Sequence, residues 1–511
     1  MMRERTSKGG QDVLDVYEKV KSLGEGSMGS VIMVRKKHQN PAQLGSFKNS
    51  KEFQKKESSR SSQSSGLYAL KAIQLSRMSD EFISELKNEI DILKSLDHPN
   101  IVRPIEVFNR RRQMFVIMEL CSGGDLYTRD PYTEGAAAHI VGKLCSAISY
   151  MHSKNITHRD LKFENIMFES PSPNAEIKVI DFGLSKKYVP DNPHLMEGVG
   201  TIYTMAPQVL QGLYTEKADL WSVGVISFML LCSEMPFSGR KRRHVIDKIM
   251  RCNYSFTSDR WTKISDKAKN FIRGLIEMDP KKRWSADQAL ESHWLQKEFD
   301  LAQRRPSIDV MDNVASSLKS YSGKTKLQKM ALMVVAHQST TEEIVELRKA
   351  FDQYDAANNG TIQYGEFTEI LGKMNYPKEE MEDIFASVDV DGSGNIHYTE
   401  FLAATLEAHG HIEEERLAEA FDRLDSDDSG FITKANLKEM LGTEYTSSAA
   451  SALIAEADVN NDGRISWDEF RGMFERQQRE AMKKAGLIDR KNTMDGSEEG
   501  LLGVNAEIPM G

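Results

Sequence analysis

Followed along the chain, apolar and polar residues change period several times. Alternating runs that predict strands come first, "YEKVKSLGEG" at 17–26 and "SVIMVRKK" at 30–37. The text then turns to Ser, Lys and Gln with few apolar residues, which predicts a disordered insertion over 36–66. From "LYALKAIQL" onward strand and helix periods alternate, and helix periods dominate through "ESHWLQ". Beyond residue 340 a unit of helix, Asp- and Gly-rich loop, and helix recurs, with loops starting at Asp355, Asp389, Asp425 and Asp458, 33 to 36 residues apart. Between the two halves, "KLQKMALMVVAHQ" places Leu327, Met330, Ala331 and Val334 on one helical stripe, with Lys326 and Lys329 at its edge. Leu332 and Met333 extend the apolar surface almost all round, so this helix needs to be enclosed or to exchange partners.

Composition narrows the class without naming a function. A chain of 511 residues exceeds one hydrophobic core and is read as multidomain. Its 40% hydrophobic and 28% charged residues are ordinary for soluble globular protein, and no apolar run approaches the length of a membrane span. "MMRERTSKGG" has no apolar signal core, and Met2 stands where N-myristoylation requires glycine, so a cytoplasmic location is expected. Cys121, Cys145, Cys232 and Cys252 are too scattered for a disulfide framework or a zinc site. A net charge of -9 argues against a dedicated nucleic-acid binder.

Chemistry enters with "LGEGSMGSV". Gly24, Gly26 and Gly29 lie between two strand runs, where absent side chains let backbone amides cover a polyphosphate, although such a run also suits a hairpin turn. The motifs downstream decide between them by their order: "YALK" with Lys71, "KNEIDILKSL" with Glu89, "HRDLKFEN", "DFG" and "MAPQ". Over roughly 17–295 the chain resembles the eukaryotic protein kinases.

That resemblance implies a bilobal α+β kinase fold and a role for each motif residue. Lys71 would hold nucleotide phosphates and pair with Glu89, and Asp160 would accept the proton of a Ser or Thr hydroxyl, with Lys162 offsetting charge on the transferring group. Asn165 and Asp181 would hold magnesium. Leu23, Val31 and the three glycines would cover ATP, Met118, Glu119 and Cys121 in "VIMELC" would form the adenine-contacting hinge, and Asp125 would contact the ribose. Two departures stand out. "APQ" puts Gln208 where the family has glutamate, so its link to Arg283 becomes a neutral-to-charged hydrogen bond in place of an ion pair, a softened anchor. "GGDLYTRDPYTE" shortens a helix beside the cleft. In the segment 181–207, Thr201 is a possible phosphosite, and Glu197 is expected to offer Arg159 the negative charge of a phosphate.

The repeats carry a second chemistry. "DVDGSGNIHYTE" sets Asp389, Asp391, Ser393 and Glu400 at loop positions 1, 3, 5 and 12, with Asn395 at position 7 and Gly394 at the sharp turn, the EF-hand pattern for calcium. Loop four repeats it with Asp458, Asn460, Asp462, Arg464 and Glu469. Loop one has Asp355, Asn359 and Glu366 but Ala357 at position 3, and loop three has Asp425, Asp427 and Ser429 but Asn436 at position 12. Strong binding is expected at loops two and four, weak or none at one and three. Ile362, Ile396, Ile432 and Ile465 at position 8 predict pairing of loops one with two and three with four.

A kinase, a junction helix and four EF-hands together resemble the calcium-dependent protein kinases of plants and protozoa over nearly the whole chain. The resulting plan is an N-terminal extension at 1–16, a kinase domain at 17–295, a junction at 296–340, EF-hand pairs at 341–408 and 409–476, and a tail at 477–511, that is, a kinase fold followed by an all-α calmodulin-like region of two lobes. It implies a monomeric serine/threonine kinase using ATP, Mg2+ and Ca2+ on proteins with basic residues before the acceptor. Without calcium the junction is expected to obstruct the kinase, with Lys324, Lys326 or Lys329 opposite cleft carboxylates. Ser307, after Arg304 and Arg305, is an expected autophosphorylation site. The rival readings are a catalytically impaired calcium-sensing scaffold and a kinase regulated by separate calmodulin.

Overall fold

Successive residues of a strand face opposite sides of a sheet, and the first half of the chain uses both sides. In the computed structural model, β1 (Arg3–Thr6), β2 (Tyr17–Gly26), β3 (Gly29–Lys36), β4 (Leu67–Gln74), β5 (Pro104–Asn109) and β6 (Gln113–Glu119) form one sheet in the order β1-β5-β6-β4-β3-β2. Tyr68, Leu70, Phe108 and Ile117 cluster on one face with Val13, Val16 and Tyr17. Ile73, Val107 and Val116 face the other way and meet Leu86 and Ile90 of the helix Asp80–Ser95. Lys71 shares the parity of Ile73, so it points to the helix face that carries Glu89. The expected extension at 1–16 is partly structural: Arg3–Thr6 pairs with β5 in parallel. Gly29 has φ +153, and a Cβ there would stand 1.8 Å from Ala72 O, so only glycine lets β3 cross β4 at this point.

The structure describes residues 3–6, 12–26, 29–37, 66–75, 80–110, 112–188, 200–299, 306–410, 412–441 and 446–484. The insertion, apart from its two ends, and Glu197, Arg304 and Arg305 lie outside them. Among the described residues no helix is long and apolar enough to cross a membrane.

After β6 the chain becomes helical. The shortened segment beside the cleft is a single 3-10 turn, Leu126–Arg129, capped by Asp125. The helix Lys217–Cys232 is apolar on every side and runs through the centre of a large core, where Trp221 stacks on Phe237 at 5.6 Å. Beyond the kinase region come the helices Ile308–Ser322 and Lys326–Gln338. Ser307 N-caps the first through Val310 N–H, and a Thr325/Gln328 capping box opens the second. Ile362 pairs with Ile396 and Ile432 with Ile465, each through a two-residue strand.

The chain packs as two units, Met1–Arg423 and Leu424–Gly511. The division falls inside the array of EF-hands, so the kinase region, the junction and the first EF-hand pair belong to one unit. Loops three and four belong to the other.

Candidate active site and calcium loops

The sheet and the helix Asp80–Ser95 bring three charges together. Lys71 Nζ stands 2.9 Å from Glu89 Oε1 and 3.5 Å from Asp181 Oδ1. Burial works against the ammonium, but Glu89 and Asp181 outweigh it and lift Lys71 above its usual range. Asp181, opposed by burial, is held below the ordinary carboxylate range by Lys71. Its backbone has φ 61, the left-handed region, a strained geometry that recurs at functional positions.

Asp160 is locked from several sides. Its Oδ2 lies 2.6 Å from Lys162 Nζ, and its Oδ1 accepts Thr201 N–H at 2.9 Å and Thr201 Oγ1–H at 2.8 Å. Lys162 Nζ also donates to Thr201 Oγ1 at 3.1 Å. The Thr201 hydroxyl is thus engaged with both Asp160 and Lys162. Asn165 donates its amide to Asp160 O at 2.9 Å and to Asp160 Oδ2 at 3.2 Å, which leaves its oxygen as the group available to a cation beside Asp181. Beneath the loop, Asp219 is buried and accepts His158 N–H and Arg159 N–H, both at 2.9 Å, while His152 lies 2.9 Å from its Oδ2. Motif reading missed Asp219, whose only sequence signal is a lone acid in an otherwise apolar helix. Arg159 donates to Leu184 O and to Tyr214 Oη.

Of the residues expected to cover a nucleotide, Val31 pairs with Lys71 across β3 and β4. Leu23 is exposed and Val31 half-buried, and Gly24 and Gly26 belong to β2, with Gly26 opposite Gly29. Met118 pairs with Ala69 and Pro104. Cys121 is buried, and burial pushes its thiol up. Asp125 accepts Tyr127 N–H at 3.0 Å. Glu119 is turned away from the cleft: its carboxylate lies 2.9 Å from Lys178 Nζ and accepts Arg103 N–H at 2.8 Å. Burial opposes its charge, but Lys178 and Arg103 keep it ionised below the usual range. Glu119 can therefore offer a nucleotide its backbone only.

The substituted anchor is less soft than its composition suggests. Gln208 Oε1 accepts from Arg283 at 3.0 Å, and its amide donates to Met278 O at 2.5 Å, a bond that glutamate cannot make. Arg283 also donates to Lys217 O and Glu277 O and lies over Trp221. Burial lowers it to about 10, still cationic at neutral pH.

In loop two the carboxylate oxygens of Asp389, Asp391 and Glu400 lie within 4.8 Å of one another, the cluster a divalent cation needs. Burial pushes Glu400 up to about 8. Ser393 Oγ donates to Asn395 O at 2.9 Å. Loop four presents Asp458, Asn460 and Asp462 through bonds to its own amides, and Arg464 leans on Asp462 and over Phe431. Loop one has Ala357 at position 3, and Asp355 accepts Asn359 N–H and Gly360 N–H while Glu366 accepts Ala357 N–H. Loop three turns donors inward: Asn436 Nδ2 points at Ser426 Oγ and Asp427 Oδ1, both at 3.1 Å, where the pattern needs a carboxylate. The remaining ligands there, Asp425 and Ser429, hydrogen-bond each other at 3.0 Å.

The junction helix Lys326–Gln338 is enclosed. Leu327, Ala331, Leu332, Val334, Val335 and Ala336 are all buried, chiefly against the helix Tyr398–Thr405. Its lysines do not face cleft carboxylates in this structure: Lys324 Nζ lies 3.0 Å from Glu407, Lys329 Nζ donates to Ser387 O, and Lys326 is exposed. The physical reason is the apolar stripe, which takes the first EF-hand pair as its partner and carries the edge lysines with it.

Further contacts join the junction and this pair to the kinase region. Arg103 donates to Ala336 O at 3.1 Å and Ser339 O at 2.8 Å, and His337 Nε2 lies 2.9 Å from Pro104 O. Arg348 grips Glu169 through both guanidinium nitrogens, and Lys143 meets Asp352 at 2.7 Å. Asp97 holds Thr399, and a Cβ on Gly360 would stand 2.0 Å from the His98 ring. Arg348 was detectable in principle as a charge on the apolar face of Ile344, Leu347 and Phe351, but not its partner.

Residues 57–295 match the protein kinase domain family, and residues 344–406 and 414–475 match the EF-hand domain pair. Among curated proteins the chain is 34% identical to calcium-dependent protein kinase 8 of Arabidopsis thaliana, covering 84% of this chain and 81% of that one. It is 36% identical to calcium-dependent protein kinase 2 of Zea mays, over 80% of each. To calcium-dependent protein kinase 3 of Plasmodium berghei it is 34% identical, over 76% of this chain and 72% of the relative.

Proposed function

The chain belongs to the calcium-dependent protein kinases, and on that premise we propose how its residues carry the activity. It is a calcium-activated protein kinase that uses ATP on protein substrates. The observation that carries the residue-level reading is the Lys71–Glu89 pair beside Asp181, formed in the unit that also contains the junction and the first EF-hand pair.

In this reading Asp160 takes the proton of a serine or threonine hydroxyl, held in line by Thr201 and Asn165, while Lys162 balances charge on the transferring phosphoryl group. Lys71 orients the nucleotide phosphates. Asn165 and Asp181 would hold Mg2+, which supplies neutralisation of phosphate charge when bound. Leu23, Val31 and the glycines cover the nucleotide, and the backbone of Met118, Glu119 and Cys121 receives the base. Loops two and four bind calcium strongly, loops one and three weakly or not at all. Substrates carry basic residues before the acceptor, and the protein is a cytoplasmic monomer whose four thiols stay reduced.

The junction acts in both directions. With calcium bound it braces the kinase through Arg103 and His337, and the first EF-hand pair does so through Arg348; without calcium the junction's released apolar surface restrains the kinase. Peptide phosphorylation with and without calcium, for the full chain and for Asp181→Ala, tests the reading. Activity that needs both calcium and Asp181 supports it; calcium-independent activity in the full chain refutes the switch. Removing 300–511 deprives Arg103, Lys143 and Glu169 of partners, so activity is expected to fall; a rise would mean that the region only inhibits.

A further inference from the structure

The turn from the helix Asp80–Ser95 into β5 begins with a carboxylate that serves a calcium loop. Asp97 Oδ2 accepts Thr399 N–H at 2.8 Å, and its Oδ1 accepts Thr399 Oγ1–H at 2.7 Å. Thr399 is the second residue of the helix Tyr398–Thr405, so Asp97 satisfies one of the amides that a helix start leaves without an intrahelical partner. The next residue is Glu400, position 12 of loop two, whose carboxylate accepts His397 N–H at 2.7 Å and Val390 N–H at 2.8 Å. On the other flank His397 Nε2 stands 3.6 Å from Asp391 Oδ2, and its ring meets Tyr150 edge-on at 6.4 Å. Tyr150 Oη in turn accepts Asp97 N–H at 3.0 Å. Asp97, Thr399, Glu400, Asp391, His397 and Tyr150 thus form a closed circuit around the three-carboxylate cluster, with two of the six contributed by the kinase region.

We propose that Asp97 is a positioning residue of the calcium site in loop two: by fixing the start of the helix that carries Glu400, it holds the position-12 carboxylate in register with Asp389 and Asp391. The inference rests on the reading that loop two binds calcium. The geometry behind it is specific to this loop. Loop four fixes the equivalent helix start with its own Ser466, which donates to Glu469 Oε2 at 2.7 Å and accepts Glu469 N–H at 3.4 Å. In loop two position 9 is His397, whose N–H donates to Glu400 Oε2 at 2.7 Å but whose side chain has no hydroxyl, and a further polar contact at the helix start comes from Asp97, 302 residues away. Groups that orient a metal ligand are worth about 10- to 100-fold in metal affinity. A cap acting through one backbone amide and one hydroxyl belongs at the lower end.

The test uses full-length protein carrying Glu469→Gln, which removes the position-12 ligand of loop four and leaves loop two as the strong site. Calcium calorimetry is run on this parent and on the parent with Asp97→Ala, Asp97→Asn, Thr399→Ser or Lys143→Met, with calcium-free melting temperatures recorded alongside. Asp97→Ala is expected to weaken loop two about tenfold. Asp97→Asn keeps acceptor oxygen without charge and falls between, and Thr399→Ser, which keeps the hydroxyl, matches the parent. Lys143→Met loosens the same interface away from loop two and has the smaller effect. Overlaid titrations for Asp97→Ala and the parent would overturn the inference, and so would an equal loss in Lys143→Met, which would reduce Asp97 to a general docking contact. A parent that binds no calcium at loop two overturns the reading of the loop itself, and the inference with it.

Discussion

Loop two and loop four carry nearly the same ligand pattern, and each holds its final glutamate through three amides of its own loop, Val390, Asp391 and His397 in loop two, but the start of the helix behind it is anchored differently. Glu469 is served within its own loop, by Val459 N–H, Asn460 N–H, Ser466 N–H and the Ser466 hydroxyl. Although burial pulls the other way, the Ser466 amide keeps it below the ordinary carboxylate range. Glu400 is 3% exposed, burial pushes it up to about 8, and its helix is anchored to the turn at Asp97. The pattern of a calcium loop specifies which atoms meet the ion; the surroundings decide what else moves when it arrives. On this comparison loop four is held within itself, and loop two is also tied to the turn at Asp97.

The contrast first needs a variant in which binding and output are separated. Asp160→Asn should lower peptide phosphorylation about 10²- to 10⁴-fold at every calcium concentration while both strong loops still bind calcium by calorimetry. Next is the brace. Arg348→Met leaves Glu169 buried without its partner in a pair whose side chains are 7% and 3% exposed, a loss of about 3–5 kcal/mol. It should appear as a lower melting temperature together with weaker calcium activation, and an unchanged activation curve would mean that the pair is structural only.

The direct comparison removes the same ligand twice. Glu400→Gln should shift the calcium concentration for half-activation up by about tenfold, and Glu469→Gln should shift it less while also abolishing one strong binding event. Equal shifts would erase the distinction between the loops. The smallest effect is expected far from either. Gln208→Ala loses bonds to both Arg283 and Met278 O and should cost about 1–3 kcal/mol by thermal denaturation. Gln208→Glu should bring no gain, because a carboxylate oxygen would then face the Met278 carbonyl.

How legible each part was depends on how local its cause is. Lys71, Glu89, Asp160, Asn165 and Asp181 could be placed because each sits in a short motif whose order resembles the kinase family, and strand parity then aims Lys71 at the helix that carries Glu89. The pairing of Ile362 with Ile396 and of Ile432 with Ile465 was legible from their shared position 8 in the loops. Arg103, Glu169 and Asp97 were not, since their partners lie 236, 179 and 302 residues away. A charge on an apolar face, such as Arg348, signals that a partner exists without saying which. The all-round apolar helix Lys326–Gln338 announced its need for enclosure, but the choice of enclosing surface followed from packing that spacing alone does not encode.

The hairpin of β3 and β4 has a consequence for how this enzyme can vary. Arg35 is paired with Leu67, and Lys36 N–H reaches Gly66 O at 3.1 Å, so the two strands are already tied where the insertion leaves and returns. That end is opposite to the one where Gly29 pairs with Ile73. Once a loop's ends are tied, doubling its length costs only about 0.6 kcal/mol of closure entropy. The register of the hairpin is therefore set by residues on either side of the insertion, and its length bears only weakly on the closure of the two strands.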